Sequence, residues 1–178
     1  MRTTLIAACL CLTGIAGAGE KIEVKPVLRP DPGVAKTLAA LGEGCSAVLP
    51  AFKVTGDLNE VAKKWGLGER GPEGRDYCCK MLWMPGRRRA AFCGANHAYP
   101  HRLNDVWEYD LAANTWVCLY GPDMSKNAKP ENWKDTVVDE NGIFRCKRGG
   151  PARIGHLWWQ ITYDPDRRAI TWMCCWGS

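Results

Sequence analysis

The sequence predicts a mainly β protein of antiparallel sheets, with two short helices before the first sheet. Three short runs follow one another between polar or glycine-containing segments: an apolar run at 89–93, an extended run at 106–109, and a run of β-branched and aromatic residues at 115–119. Residues 81–92 are similar to residues 161–172, which indicates an internal repeat. The chain has 178 residues and 46% hydrophobic content, so we expect one domain with its own core.

Three consecutive strands are predicted in the middle of the chain. The run from Arg89 to Cys93 is apolar after its first residue and stops at Gly94. After the strand at 106–109, Asp110 to Asn114 is predicted to be a tight turn, because Asp and Asn bond their own backbone and Asn tolerates positive φ. The strand at 115–119 then completes a hairpin. Successive side chains of a strand point to opposite faces of the sheet, and in these strands both faces receive apolar residues, so we expect both faces of the sheet to be covered.

This stretch resembles a kelch repeat, the blade unit of the kelch and galactose-oxidase-like β-propellers. The residues that carry the likeness are Ala90-Ala91-Phe92, Gly94, Asn104-Asp105-Val106-Trp107-Glu108-Tyr109-Asp110 and Asn114-Thr115-Trp116. The family has a double glycine after the second strand, where this chain has Cys93-Gly94. The resemblance implies a partial kelch-type β-propeller of antiparallel four-stranded blades, with about one and a half blades in residues 75–178.

The blade's first strand is predicted at 75–83 and turns at Met84-Pro85-Gly86 into the strand at 89–93, and a second copy of this first hairpin supports the repeat. With Pro85 aligned on Pro165, Met81–Arg88 lies over Ile161–Arg168. The two copies are 80 residues apart, from Pro85 to Pro165. A kelch unit has roughly 50 residues, so the excess is assigned to an inserted segment. The expected organisation is a signal peptide at 1–18, a lead-in with two short helices at 19–74, a first blade at 75–122, an inserted loop at 123–154 and the first half of a second blade at 155–178. A propeller closes with about 4 to 8 blades, so missing blades are among the expected partners.

Residues 1–18 have the features of a secretory signal peptide. Arg2 gives a positive start, residues 5–16 are apolar, and Ala16-Gly17-Ala18 is a small-x-small cleavage site. The apolar run is shorter than the roughly 20 residues that a membrane span requires. We therefore expect a mature chain that begins near Gly19 and is secreted or periplasmic.

The lead-in is expected to contain two short helices. Asp31 is placed as the N-cap of the first, with Pro32 at its first helical position. The second is expected at 58–65, with Asp57 and Glu60 spaced as a capping box. The residues expected on the apolar face of the first helix are Val34, Leu38 and Leu41.

The charge of the chain argues against a nucleic-acid partner. The net charge is +5, and 23 basic against 19 acidic residues remain once Arg2 is removed from the 24 Lys and Arg. The arginines at 87–89 and 167–168 fall at predicted turns without a nucleic-acid-binding motif. We expect them to solubilise one face of the protein.

The cysteines are interpreted in the light of export. Cys9 and Cys11 lie in the expected signal peptide, and eight of the 10 cysteines remain. An oxidising compartment allows disulfides. Cys93 and Cys118 lie inside predicted strands, where a free thiol serves as a small hydrophobe. In each vicinal pair, Cys78-Cys79 and Cys174-Cys175, the two side chains are expected to point to opposite faces of a strand. We expect at most one or two bridges, with Cys45 and Cys146 as the candidates.

Candidate binding residues are assigned by blade topology. In an up-and-down blade, the loop after the second strand and the one leaving the fourth emerge on the same face, here 95–103 and 121–154. Loops held by a rigid scaffold carry most binding residues. The candidates for binding a protein or carbohydrate ligand on this face are Asn96, His97, Tyr99, His101, Arg102, Trp133, Arg145 and His156.

One spacing on this face is similar to that of metal ligands. Cys93, His97 and His101 are each separated by three residues. A structural zinc site needs four ligands and a fourth is not evident, while Pro100 prevents a helix through both histidines. The alternative is a loop whose histidines bond neighbouring carbonyls or Asp105, and we expect no cofactor.

The resemblance also implies one enzymatic alternative. A galactose-oxidase-like copper site uses two Tyr and two His, with one Tyr cross-linked to a Cys. Tyr77, Tyr99, His97 and His156 are the candidates, but none lies in a motif that matches residue by residue. No nucleophile elbow, phosphate loop or metalloprotease helix occurs. We expect a binding or interaction module, with a fragment of a copper oxidoreductase or a purely structural fragment as alternatives.

Overall fold

The computed structural model describes residues 7–11, 28–73, 81–93, 103–123, 136–138, 140, 144–146 and 161–173. These residues are mainly in strands, which confirms the predicted β class. The elements are β1 (Ala7–Cys11), α1 (Pro32–Ala39), β2 (Lys53–Gly56), α2 (Glu60–Lys64), α3 (Leu67–Arg70), β3 (Leu82–Met84), β4 (Arg89–Cys93), β5 (Val106–Asp110), β6 (Thr115–Tyr120), β7 (Thr136–Val138), β8 (Phe144–Cys146), β9 (Ile161–Asp164) and β10 (Ala169–Met173).

The central sheet has five strands in the order β2-β6-β5-β4-β3. Strands β3 to β6 are successive antiparallel neighbours, as the sequence predicts for this part of the chain. Strand β2 pairs parallel to β6, with Val54 opposite Trp116, and makes the sheet mixed. No strand was predicted in the lead-in, because four residues of mixed character carry too little periodicity to be recognised.

Three four-residue turns connect the strands of the hairpins. They occupy 85–88, 111–114 and 165–168, and each ends on a residue with positive φ. The φ values are 53° at Arg88, 48° at Asn114 and 51° at Arg168. Since Arg88 and Arg168 are equivalent in the repeat, the two similar stretches share a backbone conformation that side chains other than Gly and Asn rarely adopt.

A second sheet, in the order β1-β10-β9, covers one face of the central sheet. Strand β9 lies beside β3. Both sheets contribute to the first core, whose buried members are Leu82, Met84, Ala91, Val106, Ile161 and Ile170. Trp83 and Tyr163, which the repeat aligns, therefore lie on equivalent strands of two hairpins with a shared core.

The helices after β2 cover the opposite face of the central sheet. The second core consists of Ala62, Leu67, Leu103, Trp107 and Cys118, with Trp65 and Trp116 packed against it. Together the two cores cover both faces of the central strands, which confirms the prediction from their apolar pattern.

The first helix agrees with the sequence prediction at its start and differs at its apolar face. The Asp31 carboxylate accepts the backbone N–H groups of Gly33, at 2.9 Å, and Val34. Val34 is buried, but the predicted face is wrong beyond it, because Leu38 and Leu41 are exposed. The α1 helix ends at Ala39, before these side chains could pack as a continuous stripe.

The second predicted helix requires two corrections. Asn59, not Asp57, is the N-cap of α2, because the Asn59 Oδ1 atom accepts the Ala62 N–H at 3.0 Å. A further short helix, α3, begins directly after Gly66, which has a φ of 67°. The expected count of two helices is therefore wrong by one within the described residues.

The segments predicted to be a signal peptide and an inserted loop each contain strands that were not predicted. Residues 7–11, inside the expected signal peptide, form β1 and pair antiparallel with β10. Residues 123–154, expected to be an inserted loop, contain the β7–β8 hairpin. The longest described helix has eight residues, and no helix in the described ranges has the length and apolarity of a membrane span.

The thiols that the structure describes are not in disulfides. Cys93 and Cys118 lie in β4 and β6, as predicted, and Cys118 is buried. Cys45 is exposed on the segment after α1. The pairs 78–79 and 174–175 lie outside the described residues, and only the backbone of Cys146 is described.

Gly56 is expected to be the most sensitive glycine at the edge of the central sheet. Its φ is 104°, and a Cβ at this position would clash with the carbonyl oxygen of Cys118 and lie 2.7 Å from the Cys118 nitrogen. Gly56→Ala should lower the free energy of unfolding by about 2 kcal/mol or more, because both obstacles are backbone atoms. Gly86→Ala is the control, since its Cβ would meet nothing within 4 Å. Equal stability of the two variants in urea unfolding would contradict this account of β2.

The Asp31 cap is expected to make stability depend on pH. The Lys53 ammonium, which donates to Asp31 Oδ2 at 3.1 Å, and the Gly33 N–H lower the pKa of the Asp31 carboxyl below its ordinary value. A lowered folded-state pKa gives stability that is present above about pH 4 and is lost as the pH falls through the folded-state pKa. At pH 7 the wild-type protein should therefore have a higher melting temperature than the Asp31→Asn variant, and this difference in melting temperature should vanish in acid. A difference that stays constant throughout the acid range would contradict the prediction.

Candidate functional site

The sequence-predicted binding residues fall almost entirely outside the part of the chain that the structure describes. This holds for Asn96, His97, Tyr99, His101, Arg102, Trp133 and His156, and for Tyr77 of the copper alternative. Arg145 lies on β8 with Val137 as its register partner, and only its backbone is described. The described residues instead show how the chain holds the points from which the long loops leave.

A hydrogen-bonded group fixes both long loops where they meet the central sheet. We name it the loop-root cluster: Asp57, Asn59, Asn104, Tyr120 and Asp123. The Asn104 side chain donates to Asp123 Oδ1 at 2.7 Å, and the Asp123 N–H donates back to Asn104 Oδ1 at 3.2 Å. Tyr120 donates to the second oxygen of Asp123 at 3.0 Å. The end of the loop before β5 and the first residues after β6 are thus held side by side.

The lead-in supplies the other half of the loop-root cluster. The Gly121 N–H donates to Asp57 Oδ2 at 2.7 Å, and Asn59 Nδ2 donates to the carbonyl of Pro122 at 3.1 Å. Asn59 therefore caps α2 with its oxygen and holds the chain after β6 with its nitrogen. The residues around Asp57 carry a helix-capping signal, but nothing in their pattern indicates a bond to the distant Gly121.

A buried carboxylate lies one residue before β5. Trp107 Nε1 donates to Asp105 Oδ2 at 2.5 Å, and both side chains are buried. The bond joins the end of the loop before β5 to the second core, because Trp107 is a member of that core. The predicted contact between the loop histidines and Asp105 involves residues outside the described part.

Charged side chains form a second cluster at the end of the sheet that carries the short turns. We name it the arginine–carboxylate cluster: Arg87, Arg89, Glu108 and Asp110. Glu108 is fully buried and accepts from Arg87 Nη2 at 2.9 Å, from Arg87 Nε, and from Arg89 Nη1 at 3.2 Å. Arg89 Nε also donates to Asp110 Oδ2 at 3.1 Å. The expected solubilising role is therefore wrong for Arg87 and Arg89, which are ion-paired, and stays a prediction for exposed Arg88.

Tyr109 is a structural phenol on the opposite face of the same strand. Burial, and then the charge of Asp110, raise the pKa of Tyr109 above its ordinary value. Its hydroxyl donates to Asn114 Oδ1 at 2.7 Å, and its ring lies 4.9 Å from that of Trp116. A neutral phenol engaged in this way anchors the turn at 111–114 and is unsuited to act as a base.

The metal hypothesis rests on residues that the structure describes only in part. Within the described ranges, no group of three or more His, Cys, Asp and Glu side chains could hold a metal ion. Of the three residues with ligand-like spacing, Cys93 lies at the end of β4, and His97 and His101 lie outside the described residues.

Comparison with protein-family models, with curated proteins and with solved structures finds no match to this chain. The architecture defines a class only coarsely: a mainly β protein with a five-stranded mixed sheet between a helical layer and a second sheet.

Proposed function

We propose that the chain is an exported, kelch-like propeller segment that acts as a protein- or carbohydrate-binding module. The observation that supports it best is the pair of similar hairpins that begin at 81 and 161, with matching turns and one shared core. Successive blades of a propeller are arranged side by side around a central channel. The neighbouring positions of β3 and β9 are consistent with that arrangement.

The loop-root cluster favours binding over catalysis. Its carboxylates and amides bond one another and the backbone on either side of the two long loops. Groups committed in this way provide a rigid base, and ligand contacts are then expected from the loops that they hold. The proposed binding face is the one that carries residues 95–103 and 121–154.

The proposal is tested by carbohydrate binding with variants on the two opposite ends of the sheet. The exported protein is run by affinity electrophoresis in gels that contain soluble β-glucan, xylan, galactan or starch. Tyr99→Ala and Trp133→Ala should weaken retardation about tenfold or more, because aromatic rings dominate such contacts. Leu111→Ala is the control, since Leu111 is an exposed apolar residue on a short turn. Equal weakening of retardation by the Leu111→Ala control would contradict the proposal. So would the absence of retardation in every gel, if the chain also captured no other exported protein.

The copper oxidoreductase alternative predicts a different result. Under it, the protein should retain close to one copper per chain after loading with Cu(II) and dialysis against a chelator. His97→Ala and His156→Ala should then lose the metal. Copper retained in the wild type and lost in both variants would replace the binding proposal with the enzymatic one.

A further inference from the structure

The outer edge of β10 is paired only by a segment that is expected to be removed. In the second sheet β10 lies between β9 and β1, and β1 pairs with all five residues from Ala169 to Met173. Strand β1 lies within residues 1–18, the expected signal peptide. Removal of that segment would leave one side of β10 without its β1 partner over its whole length.

The residues of β10 do not protect an open edge. Natural edge strands are kept short or carry charge, proline or bulges, because an unpaired row of N–H and C=O groups attracts other strands. Strand β2 carries Lys53 and ends at Gly56 with a φ of 104°, and β3 has three residues before Pro85. Strand β10 has the sequence Ala-Ile-Thr-Trp-Met, with no charge, proline or glycine. This sequence is suited to a covered edge.

The strand that covers this edge shows which pairing geometry fits. Strand β1 runs antiparallel to β10, with Cys9 opposite Thr171 at the centre. On its other side β10 is held by β9, and its residues Ala169 and Ile170 are buried, so the strand is fixed in place. The edge is therefore a preformed acceptor for one more antiparallel strand of about five residues.

We propose that the mature chain, from which residues 1–18 have been removed, forms a dimer in which β10 pairs antiparallel with β10 of a second copy. With Thr171 on the two-fold axis, the register sets Ile170 opposite Trp172 of the second copy, and Ala169 opposite Met173. A β-branched residue opposite an aromatic one is a favourable cross-strand pair, and no like charges meet. The same strand serves both copies, as a two-fold interface requires, and the result is one continuous sheet in the order β9-β10-β10-β9.

The test measures the mass of the exported protein in solution. The full chain is expressed with its own leader, and intact mass spectrometry shows whether residues 1–18 have been removed. Light scattering over a dilution series should then give a dimer that dissociates on dilution, while a preparation that retains residues 1–18 should be monomeric. A mature chain that is monomeric at every concentration, or a leader that is retained in the exported protein, would overturn the proposal.

A matched pair of lysine substitutions identifies the strand involved. Thr171→Lys places two like charges opposite each other at the two-fold axis and should weaken the dimer about tenfold or more. Thr162→Lys is the control, because Thr162 is exposed and is the register partner of Thr171 on β9, away from the open edge. Equal effects of the two substitutions would overturn the proposal. Hydrogen exchange on the unmodified protein gives an independent readout: amides at 169–173 should exchange more slowly as the concentration rises, and unchanged exchange would refute the interface.

Discussion

Trp107→Ala is expected to lower the free energy of unfolding by about 3 to 5 kcal/mol. Trp107 is the largest fully buried side chain among the described residues and lies at the centre of the second core. Its removal would leave a cavity between β5 and the helices after β2. It would also remove the indole donor to the buried Asp105 carboxylate, which adds to the loss.

Trp83→Ala is the matched control for this prediction. Trp83 lies on β3 of the same sheet, but its side chain is 57% exposed. The same chemical change should therefore lower the free energy of unfolding by about 1 kcal/mol or less. Urea unfolding followed by circular dichroism compares the two variants without relying on tryptophan fluorescence. Similar losses in both variants would show that the second core is not centred on Trp107.

Glu108→Ala is expected to lower the free energy of unfolding by about 3 kcal/mol, at the lower end of the range for breaking a buried ion pair. Glu108 is fully buried and is contacted by two arginines. Removing it leaves positive charge in a partly buried site. The loss is moderated because Arg89 keeps Asp110 and because the Arg87 side chain is 29% exposed.

Glu60→Ala is the control for the loss of a single carboxylate. Glu60 pairs with Lys63 on the surface of α2, where both side chains are exposed. Such a pair contributes about 0.5 kcal/mol or less, so this variant should unfold close to wild type. If Glu108→Ala were as stable as Glu60→Ala, the arginine–carboxylate cluster would have no part in joining the first two turns to the sheet.

The central strands were predictable because local residue types and the final structure agree there. The run at 115–119 is rich in β-branched and aromatic residues, which favour extended backbone, and the run at 89–93 is a short apolar run that stops at Gly94. The turn before 115 depends on Asn114, which tolerates the positive φ that this turn requires. The internal repeat placed the β9–β10 hairpin correctly for the same reason, since its turn residues are similar to those of the first hairpin.

Contacts that join distant parts of the chain could not be predicted in this way. Strand β2 is short, and it is fixed by parallel pairing with β6 and not by its own composition. Asp57 carries the same capping signal whether it bonds a helix or the N–H of Gly121, and tertiary structure decides between them. The pairing of Arg87 with Glu108 requires knowledge of which strands lie side by side.

The sequence predicted which end of the sheet carries the candidate site, but not the residues that hold the loops there. Strand order places both long loops at one end of the sheet, and the described roots of these loops do lie together there. The residues that hold the roots were missed, because Asn104 was noted only for its place in the kelch-like pattern, and nothing in the sequence pairs it with Asp123, 19 residues later. The identity of the ligand-contacting side chains on the loops remains a prediction from the sequence.

The central claim is that the two hairpins of the repeat pack against each other in one core. Leu82 and Met84 of the first hairpin, and Ile161 and Ile170 of the second, all carry methyl groups that can be labelled selectively. A methyl NOE spectrum of the labelled protein tests the claim directly. Cross-peaks that connect the Leu82 or Met84 methyls to those of Ile161 or Ile170 are the predicted result. If the isoleucine methyls show cross-peaks only within their own hairpin, the two stretches do not share a core, and the proposed propeller segment is wrong.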